Sequence, residues 1–266
     1  MSFSLTQFGL KEMLRCGLDL RKSAGEAGTL EEVARTVVHY FHDECRDAEG
    51  GRECLLARFY KTHAYGGLPP DLQAFARGVL APDPPSDDMQ CLTLLATAGA
   101  EPEWNARESS RGHQAIPLAS VQVVEQAPMI AELVRAMGLD VRMVVDPDAT
   151  LIRGAEGKTF NVFYVPQAQG SPHIPAQDFV QRYAVCSVLG FGGVLVTGEF
   201  YAVILFTRVT IPPESADRFR NVALDLKLAI SSAAVNATFG TVPGVLKAVK
   251  PLEPLEPLEP TGAAGG

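Results

Sequence analysis

The sequence has no excess of basic residues and no long apolar run. Its 266 residues include 23 Lys and Arg against 31 Asp and Glu, a formal net charge of -8. Nucleic acids and anionic membranes bind basic surfaces, so the composition argues against both as partners. No run of about 18 apolar residues occurs, and no basic start precedes an apolar segment, so we expect neither a membrane span nor an export signal.

Disulfide, metal and catalytic motifs are also missing. The cysteines are odd in number, widely spaced and without a CxxC pair, which is typical of reduced, buried thiols in a cytoplasmic protein. The chain has no GxSxG, Walker or HExxH motif, so we expect no enzymatic activity. The five cysteines are Cys16, Cys45, Cys54, Cys91 and Cys186.

The most informative stretch of the chain lies between residues 183 and 208. Two apolar runs, rich in β-branched and aromatic residues, flank Thr197, Gly198 and Glu199. This spacing predicts a tight antiparallel hairpin in which Gly198 supplies the unusual backbone angle. Because both runs are apolar almost throughout, both faces of the hairpin must be covered by other parts of the chain.

Apolar residues that recur every three or four positions predict three main helices. The first spans 3–22, with Leu10 and Leu14 on its apolar stripe. The second follows a capping box of Thr29 and Glu32 and continues to about residue 49. The last begins after Pro212 and Pro213 and continues to about residue 236.

Shorter elements lie between these helices. We predict strands at 54–60, 90–98 and 159–165, and helices at 69–79 and after Pro128. Residues 99–119 are polar and irregular, and 168–181 contain two prolines without periodicity. We expect both of these segments to be loops.

This order of elements, together with the passage NVFYVPQAQGSPHIPAQDFVQRYAVCSVLGFGGVLVTGEFYAVILFTRVTIP, resembles a GAF domain. It is similar to the divergent GAF-like input segments that precede PAS, histidine kinase or nucleotide cyclase modules in bacterial signalling proteins. The resemblance covers about residues 29–238. We therefore divide the chain into an N-terminal helical segment (1–28), a GAF-like sensory domain (29–238) and a disordered Pro/Leu/Glu-repeat tail (239–266).

The resemblance implies an α+β, profilin-like fold: a central antiparallel sheet of five or six strands with helices on both faces. It places the first and last helices together on one face, where such domains dimerise, and a small-molecule pocket on the other. The motif of cyclic-nucleotide-binding GAF domains is missing, and so is a tetrapyrrole-anchoring pair of Cys and His. The cofactor, if the domain has one, is therefore left unknown.

The candidate ligand site is the proline-bounded loop that leads into the hairpin. Two prolines reduce the entropy lost when this loop is ordered, and polar side chains follow it closely. An alternative is that the loop only closes the sheet edge, with Asp178 paired to Arg182 and the phenylalanines in the core. The candidate ligand contacts are His173, Asp178, Arg182, Tyr183, Phe163 and Phe191.

One pattern resembles a metal site. His39, His42, Asp43 and Cys45 lie on adjacent helical turns and have the spacing of chelating ligands. We place His42 and Asp43 on the polar side of the helix, and no second ligand cluster is evident in the sequence. We therefore expect no metal.

A second pattern raises thiol chemistry. A GAF-type fold can host cysteine-based methionine sulfoxide reduction, which needs an exposed and activated thiol. Cys91 and Cys186 fall in predicted strands beside Leu92 and Val185, which predicts burial. A thiol-dependent reductase is therefore the least favoured of the functions that we consider.

We expect a non-catalytic, cytoplasmic signalling domain of a bacterial protein. It would bind a small ligand or a protein partner, such as a histidine kinase, and form a homodimer through its terminal helices. On this interpretation Leu226→Asp would separate the protomers and leave the sheet folded. The alternative is an adaptor whose pocket is filled by its own side chains and whose tail engages another protein. The candidate dimer contacts are Leu10, Leu14, Phe219, Val222, Leu226 and Ile230.

Overall fold

The computed structural model describes residues 2–80, 84–147, 162–232 and 238–239. The Pro/Leu/Glu repeats, residues 159–161 of the third predicted strand and the end of the last predicted helix lie outside these ranges. The helices are α1 Leu10–Gly25, α2 Leu30–Glu44, α3 Pro70–Leu80, α4 Val121–Glu125, α5 Pro128–Ala136, α6 Arg142–Val145, α7 Gln177–Arg182, α8 Pro213–Asp217 and α9 Phe219–Ser232. The strands are β1 Cys54–Ala64, β2 Gln90–Gly99, β3 Ala115–Pro117, β4 Val162–Val165, β5 Ser187–Val194 and β6 Phe200–Thr207.

The strands form one sheet in the order β3-β2-β1-β6-β5-β4, and every neighbouring pair is antiparallel. The sheet has six strands, and helices pack on both of its faces. The α+β fold with a five- or six-stranded antiparallel sheet is thus confirmed.

The predicted hairpin is the centre of this sheet. Strands β5 and β6 pair along their whole length, and Gly198 in the turn has a φ of 98°. Every residue of both strands is buried. Side chains alternate along β6, so that Tyr201 and Val203 face one layer while Ile204 and Phe206 face the other.

One face of the sheet, which we call the helix face, is covered by α1, α2 and α9. Phe191 of β5 packs edge-on against Phe41 of α2 at 5.3 Å, and its ring lies tilted against Phe219 of α9 at 5.2 Å. The hydroxyl of Tyr201 donates to the carbonyl oxygen of Ala223 at 2.8 Å, which joins β6 to α9. The aromatic layer and this hydrogen bond fix α9 on the sheet.

The N-terminal segment belongs to the same core. Phe8 stacks on Phe219 at 4.6 Å, and Arg21 pairs with Asp225 at 2.6 Å, so α1 runs parallel to α9. The buried carboxylate of Glu53 accepts from the amide of Leu5 at 2.5 Å. The predicted unit 1–28 is therefore packed against the predicted unit 29–238.

Two helix boundaries differ from the prediction. Helix α1 begins at Leu10 because a separate 3-10 turn, Leu5–Gln7, precedes it. Helix α2 ends at Glu44, where the next residue is extended and Phe3 pairs with it. The capping box is also modified: Thr29 accepts from the amide of Glu32, but the carboxylate of Glu32 accepts from the amide of Gly28.

Two predicted loops contain regular structure. The segment 99–119 includes β3, which pairs with β2 at the sheet edge. The segment 168–181 includes most of α7, where the side-chain amide of Gln177 donates to the carbonyl oxygen of Ile174 at 2.7 Å. Strand β3 is short and pairs with a strand that is distant in sequence. Helix α7 is short and follows a loop without periodicity. Hydrophobic periodicity therefore predicts neither element.

Close packing of the hairpin makes Gly192 intolerant of a side chain. A Cβ atom there would overlap the carbonyl oxygen of Tyr201 and lie 2.9 Å from Cα of Ala202. Because these are backbone atoms of β6, relief requires the strands to move. We expect Gly192→Ala to lower the free energy of unfolding by about 2–3 kcal/mol in urea titrations.

The matched control is Gly78→Ala in α3, where an added Cβ meets no atom within 4 Å. Removing a helical glycine there should stabilise the protein by about 0.4–1 kcal/mol. Equal unfolding free energies for the two variants would contradict the close-packed hairpin.

Candidate functional site

A cavity of about 480 Å³ lies on the sheet face opposite to α1 and α9. Its floor is formed by strands β1, β2, β3 and β6, and its walls by the start of α5, the loop before α7 and the irregular segment after β2. The floor residues are Leu56, Arg58, Tyr60, Leu92, Ile116, Ile204 and Phe206. The wall residues are Trp104, Gly112, His113, Ala127, Pro128, Met129, Ile130, Leu133, Ile174, Pro175, Ala176 and Phe179.

An aromatic cluster holds one wall of the cavity in place. Phe179 of α7 packs edge-on against Phe206 of β6 at 5.4 Å and against Trp104 at 5.6 Å. Gly99 leaves room for the indole ring, since a Cβ there would lie 2.8 Å from it. The hydroxyl of Thr97 donates to the carbonyl oxygen of Trp104 at 2.8 Å. The only tryptophan of the chain is thus a fixed part of the cavity wall.

The first turn of α5 forms the opposite wall. Pro128 occupies the first helical turn as predicted, and Ser120 caps α4 immediately before it. Ile130 and Leu133 turn toward the sheet, and Leu133 packs over β5, where Gly190 leaves space for its side chain. The apolar stripe of α5 therefore supplies both core contacts and lining.

Polar groups are few in this lining. Arg58 projects from the middle of β1, and its guanidinium Nη1 lies 3.4 Å from the hydroxyl of Tyr60. Nη2 lies 3.5 Å from Oγ of Ser110, which is at the outer limit of a hydrogen bond. Nε is buried and has no hydrogen-bond partner among the described residues.

His113 stands at the rim of the same cavity. Its Nδ1 lies 2.8 Å from the carbonyl oxygen of Arg111. Desolvation, and after it the positive charge of Arg58, lower the pKa of His113 below its ordinary value. At neutral pH the imidazole is therefore uncharged. Because its single N–H, at Nδ1, donates to the carbonyl oxygen of Arg111, its Nε2 can only accept a hydrogen bond.

The structure separates the six predicted ligand contacts from the cavity lining. His173, Asp178 and Arg182 lie on the predicted loop and α7, but the cavity is lined by their apolar neighbours Ile174 and Phe179. The described residues show no Asp178–Arg182 ion pair.

The aromatic candidates have other surroundings. Arg182 lies over the ring of Tyr183 at 5.3 Å, and Tyr183 packs on Trp104 at 4.6 Å, behind the lining. Phe163 is buried on the cavity side of the sheet, beside Gly190. Phe191 lies on the helix face, with the sheet between it and the cavity.

Sequence reasoning did not single out Arg58, Tyr60, Trp104 or His113. A signal for Arg58 is present, because it is a permanent charge inside the apolar run CLLARFY. No local pattern indicates that Trp104 and His113, on irregular segments, approach the same strand.

The predicted position of His42 on the polar side of its helix requires correction. His42, which we placed on the polar side of α2, is only 5% exposed, because α2 packs that edge inward. Its Nδ1 contacts Asp43 at 3.1 Å, and burial lowers its pKa. Within the described part of the chain no group of His, Cys, Asp or Glu has the arrangement of a metal site.

The two candidate redox cysteines differ. Cys91 is fully buried in β2, and burial raises the pKa of its thiol to about 12, which disfavours the reactive thiolate. Cys186 precedes β5 instead of lying in it and is half-buried, with its thiol donating to the carbonyl oxygen of Arg208 at 3.1 Å. Neither lies in the cavity lining.

The charge of Arg58 should be measurable at His113. Replacing Arg58 with Gln removes a nearby positive charge that repels the protonated imidazole. Protonation then costs less free energy, and the pKa of His113 should rise. It should stay below that of a histidine fully surrounded by water, because desolvation is the larger cause. NMR titration of the imidazole resonances measures this value. Arg220→Gln, on α9 behind the sheet, should leave it unchanged, and an equal response to both variants would contradict the proximity of Arg58.

Comparisons with known proteins return structural matches only. No protein-family model matches the sequence, and no curated protein does. The chain is similar to the GAF domain of a phosphoenolpyruvate-protein phosphotransferase from Coxiella burnetii, at 10% identity and a TM-score of 0.45, covering 82% of this chain and 92% of that one. It is also similar to the phycocyanobilin-bound GAF domain of a cyanobacterial phytochrome, at 12% identity and a TM-score of 0.39, covering 88% and 97%.

No helix in the described ranges is long and apolar enough to cross a membrane.

The identification of the fold comes from the architecture itself. The antiparallel sheet, the first and last helices paired on one face and the cavity on the other are the three features that the resemblance implied. With these features, the chain has a GAF-like α+β fold.

Proposed function

We propose that this chain is a non-catalytic signalling or regulatory domain that binds a small ligand in the cavity and forms a homodimer through α1 and α9. The observation that carries the proposal is the apolar cavity on the sheet face opposite to the paired terminal helices. A partner such as a histidine kinase would receive the signal from the helices. We assign the domain to the cytoplasm, because all five cysteines are free.

The size and lining of the cavity support small-molecule binding. A volume of about 480 Å³ lies within the range of about 300–1,000 Å³ that ligand pockets occupy. Apolar side chains with a few convergent polar groups are the usual composition of such sites. The adaptor alternative required a pocket filled by the protein's own side chains, and a cavity of this size weighs against that requirement.

Blocking the cavity should abolish binding of an apolar probe. N-phenyl-1-naphthylamine is a neutral dye that fluoresces in apolar surroundings, and we expect saturable binding to the wild-type protein. Ile130→Trp places a larger side chain in the cavity and should weaken binding at least about tenfold, since a filled pocket loses the apolar contact area.

The control for this experiment is Val123→Trp, on the exposed surface of α4 and outside the lining. It should bind the dye as the wild type does. Unsaturable binding, or equal affinity of both variants, would count against the cavity as a ligand site.

The dimer surface is defined by exposed leucines. Leu10, Leu14 and Leu18 of α1 are 63%, 56% and 63% exposed and repeat every fourth residue, which forms one stripe. Leu224 and Leu228 of α9 are also exposed, at 40% and 48%. Leucines clustered on two parallel helices are typical of a helix-bundle interface, and a second copy of the same helix pair would complete such a bundle.

The other four predicted dimer contacts occupy the interior. Phe219, Val222, Leu226 and Ile230 pack against the sheet within one protomer and are at most 9% exposed. They hold α9 in place and do not reach its outer surface. Leu226→Asp would bury an unpaired carboxylate and unfold the protomer instead of separating two protomers.

Charged residues in the exposed stripe should produce folded monomers. We expect Leu14→Glu with Leu18→Glu to halve the mass measured by light scattering after size exclusion, because apposed stripes would bring like charges together. The circular dichroism spectrum should stay unchanged. Val123→Glu adds one negative charge on the exposed surface of α4 and should leave the mass that of a dimer. A monomeric wild type, or a double variant that remains dimeric, would overturn the proposed interface.

A further inference from the structure

Arg58 contrasts with two buried cations of this protein that are paired with carboxylates. Lys61, with 6% of its side chain exposed, pairs with Glu199 at 3.1 Å. Arg107, with 13% exposed, pairs with Glu31 at 2.6 Å. Arg58 is half-buried, and among the described residues it has no carboxylate within 4.0 Å. A cation beside apolar side chains is unfavourable unless an anion compensates it.

The guanidinium of Arg58 also has unused hydrogen-bonding capacity. Of its five N–H donors, two make long contacts with neutral hydroxyl groups, and Nε makes none with the described residues. A planar guanidinium matches the two oxygens of a carboxylate or a phosphate. The site is therefore chemically suited to an oxyanion at the position of Arg58.

Two other features of the lining agree with this chemistry. The hydroxyl of Tyr60 can donate one hydrogen bond to an anion beside Arg58. The first turn of α5 lies in the cavity wall, and its N-cap residue Ala127 provides no side-chain cap. An uncapped helix start favours negative charge. Each feature alone would be weak, but they converge on the cavity that contains the unpaired arginine.

The remainder of the lining determines the rest of the ligand. Away from Arg58 the floor is apolar, with Leu92, Ile204 and Phe206 as its main surfaces. Small inorganic anions would leave these surfaces uncovered, whereas an aromatic or branched aliphatic body would bury them.

We propose that the cavity binds a small organic anion whose apolar body lies against Ile204 and Phe206 and whose single oxyanion group, a carboxylate or a phosphate, is held by Arg58. This inference rests on the proposed ligand-binding function of the cavity and specifies the chemical class of its ligand.

The test is competition between two probes of equal shape. The intact wild-type protein is loaded with N-phenyl-1-naphthylamine, which is then displaced by 2-naphthoate or by 2-naphthamide. These two competitors share the naphthalene body and differ in the charge of one group. We expect 2-naphthoate to compete at least about tenfold more strongly, because charge-assisted hydrogen bonds are about twice as strong as neutral ones. Comparing 2-naphthyl phosphate with 2-naphthoate distinguishes the two oxyanions, and acetate alone should not compete.

The preference should depend on Arg58. In Arg58→Gln the two naphthalene competitors should become equal within about threefold, with each compared against the variant's own affinity for the neutral dye. Arg58→Lys retains the charge but loses the planar fork, and should retain part of the preference. Arg220→Gln, on the other side of the sheet, should behave as the wild type. The thermal midpoint of Arg58→Gln should not fall, since the substitution removes an unpaired charge and no ion pair among the described residues.

The outcomes separate the two proposals. If the neutral dye does not bind the wild type, both the proposed function and this inference fail. If the dye binds, is blocked by Ile130→Trp and is displaced equally by the acid and the amide, the cavity is a ligand site and only the anion inference is overturned. A preference for the acid that persists in Arg58→Gln would overturn the role of Arg58.

Discussion

The burial of both faces of the β5–β6 hairpin is the constraint on which the rest of the structure depends. All residues of these strands are buried, so neither face can remain in contact with water. One face is covered by the parallel helices α1 and α9 with α2, and the other by α5 and α7. Two different layers thus share one sheet, and the cavity lies in the second layer, where short helices and loops replace long ones.

Patterns that are local in sequence were sufficient for much of this fold. The hairpin, the long helices and strands β1 and β2 follow from period-two and three-to-four spacing and from Gly198 in the turn. Strand β3 and helix α7 could not be found in this way. The pairing of β3 depends on β2, from which it is separated by the whole irregular segment, and α7 follows a proline-rich loop whose carbonyl groups are bonded by Gln177.

The candidate site was less accessible to sequence reasoning, for physical reasons. Ile130 and Leu133 form a stripe that predicts a buried face, but a stripe does not distinguish a packed core from the wall of a cavity. The orientation of Arg58 depends on the register of β1, which shifts between Phe59 and Tyr60.

The helix α1 has a similar ambiguity, because it carries two apolar stripes. Met13, Cys16 and Leu20 pack inward, whereas the leucines at every fourth position remain exposed.

The same alternation that buries the hairpin also connects its two sides. Along β6, Ile204 and Phe206 contact the cavity, and Tyr201, on the opposite face, is hydrogen-bonded to α9 through Ala223. Under the proposed function, a ligand can influence the terminal helices only through contacts that differ between two packing states. Strand β6 lies between the cavity and α9, and all of its residues are buried, so a ligand that displaced the strand would also change its packing against α9. The hairpin that requires two covering layers is therefore also the element best placed to couple them.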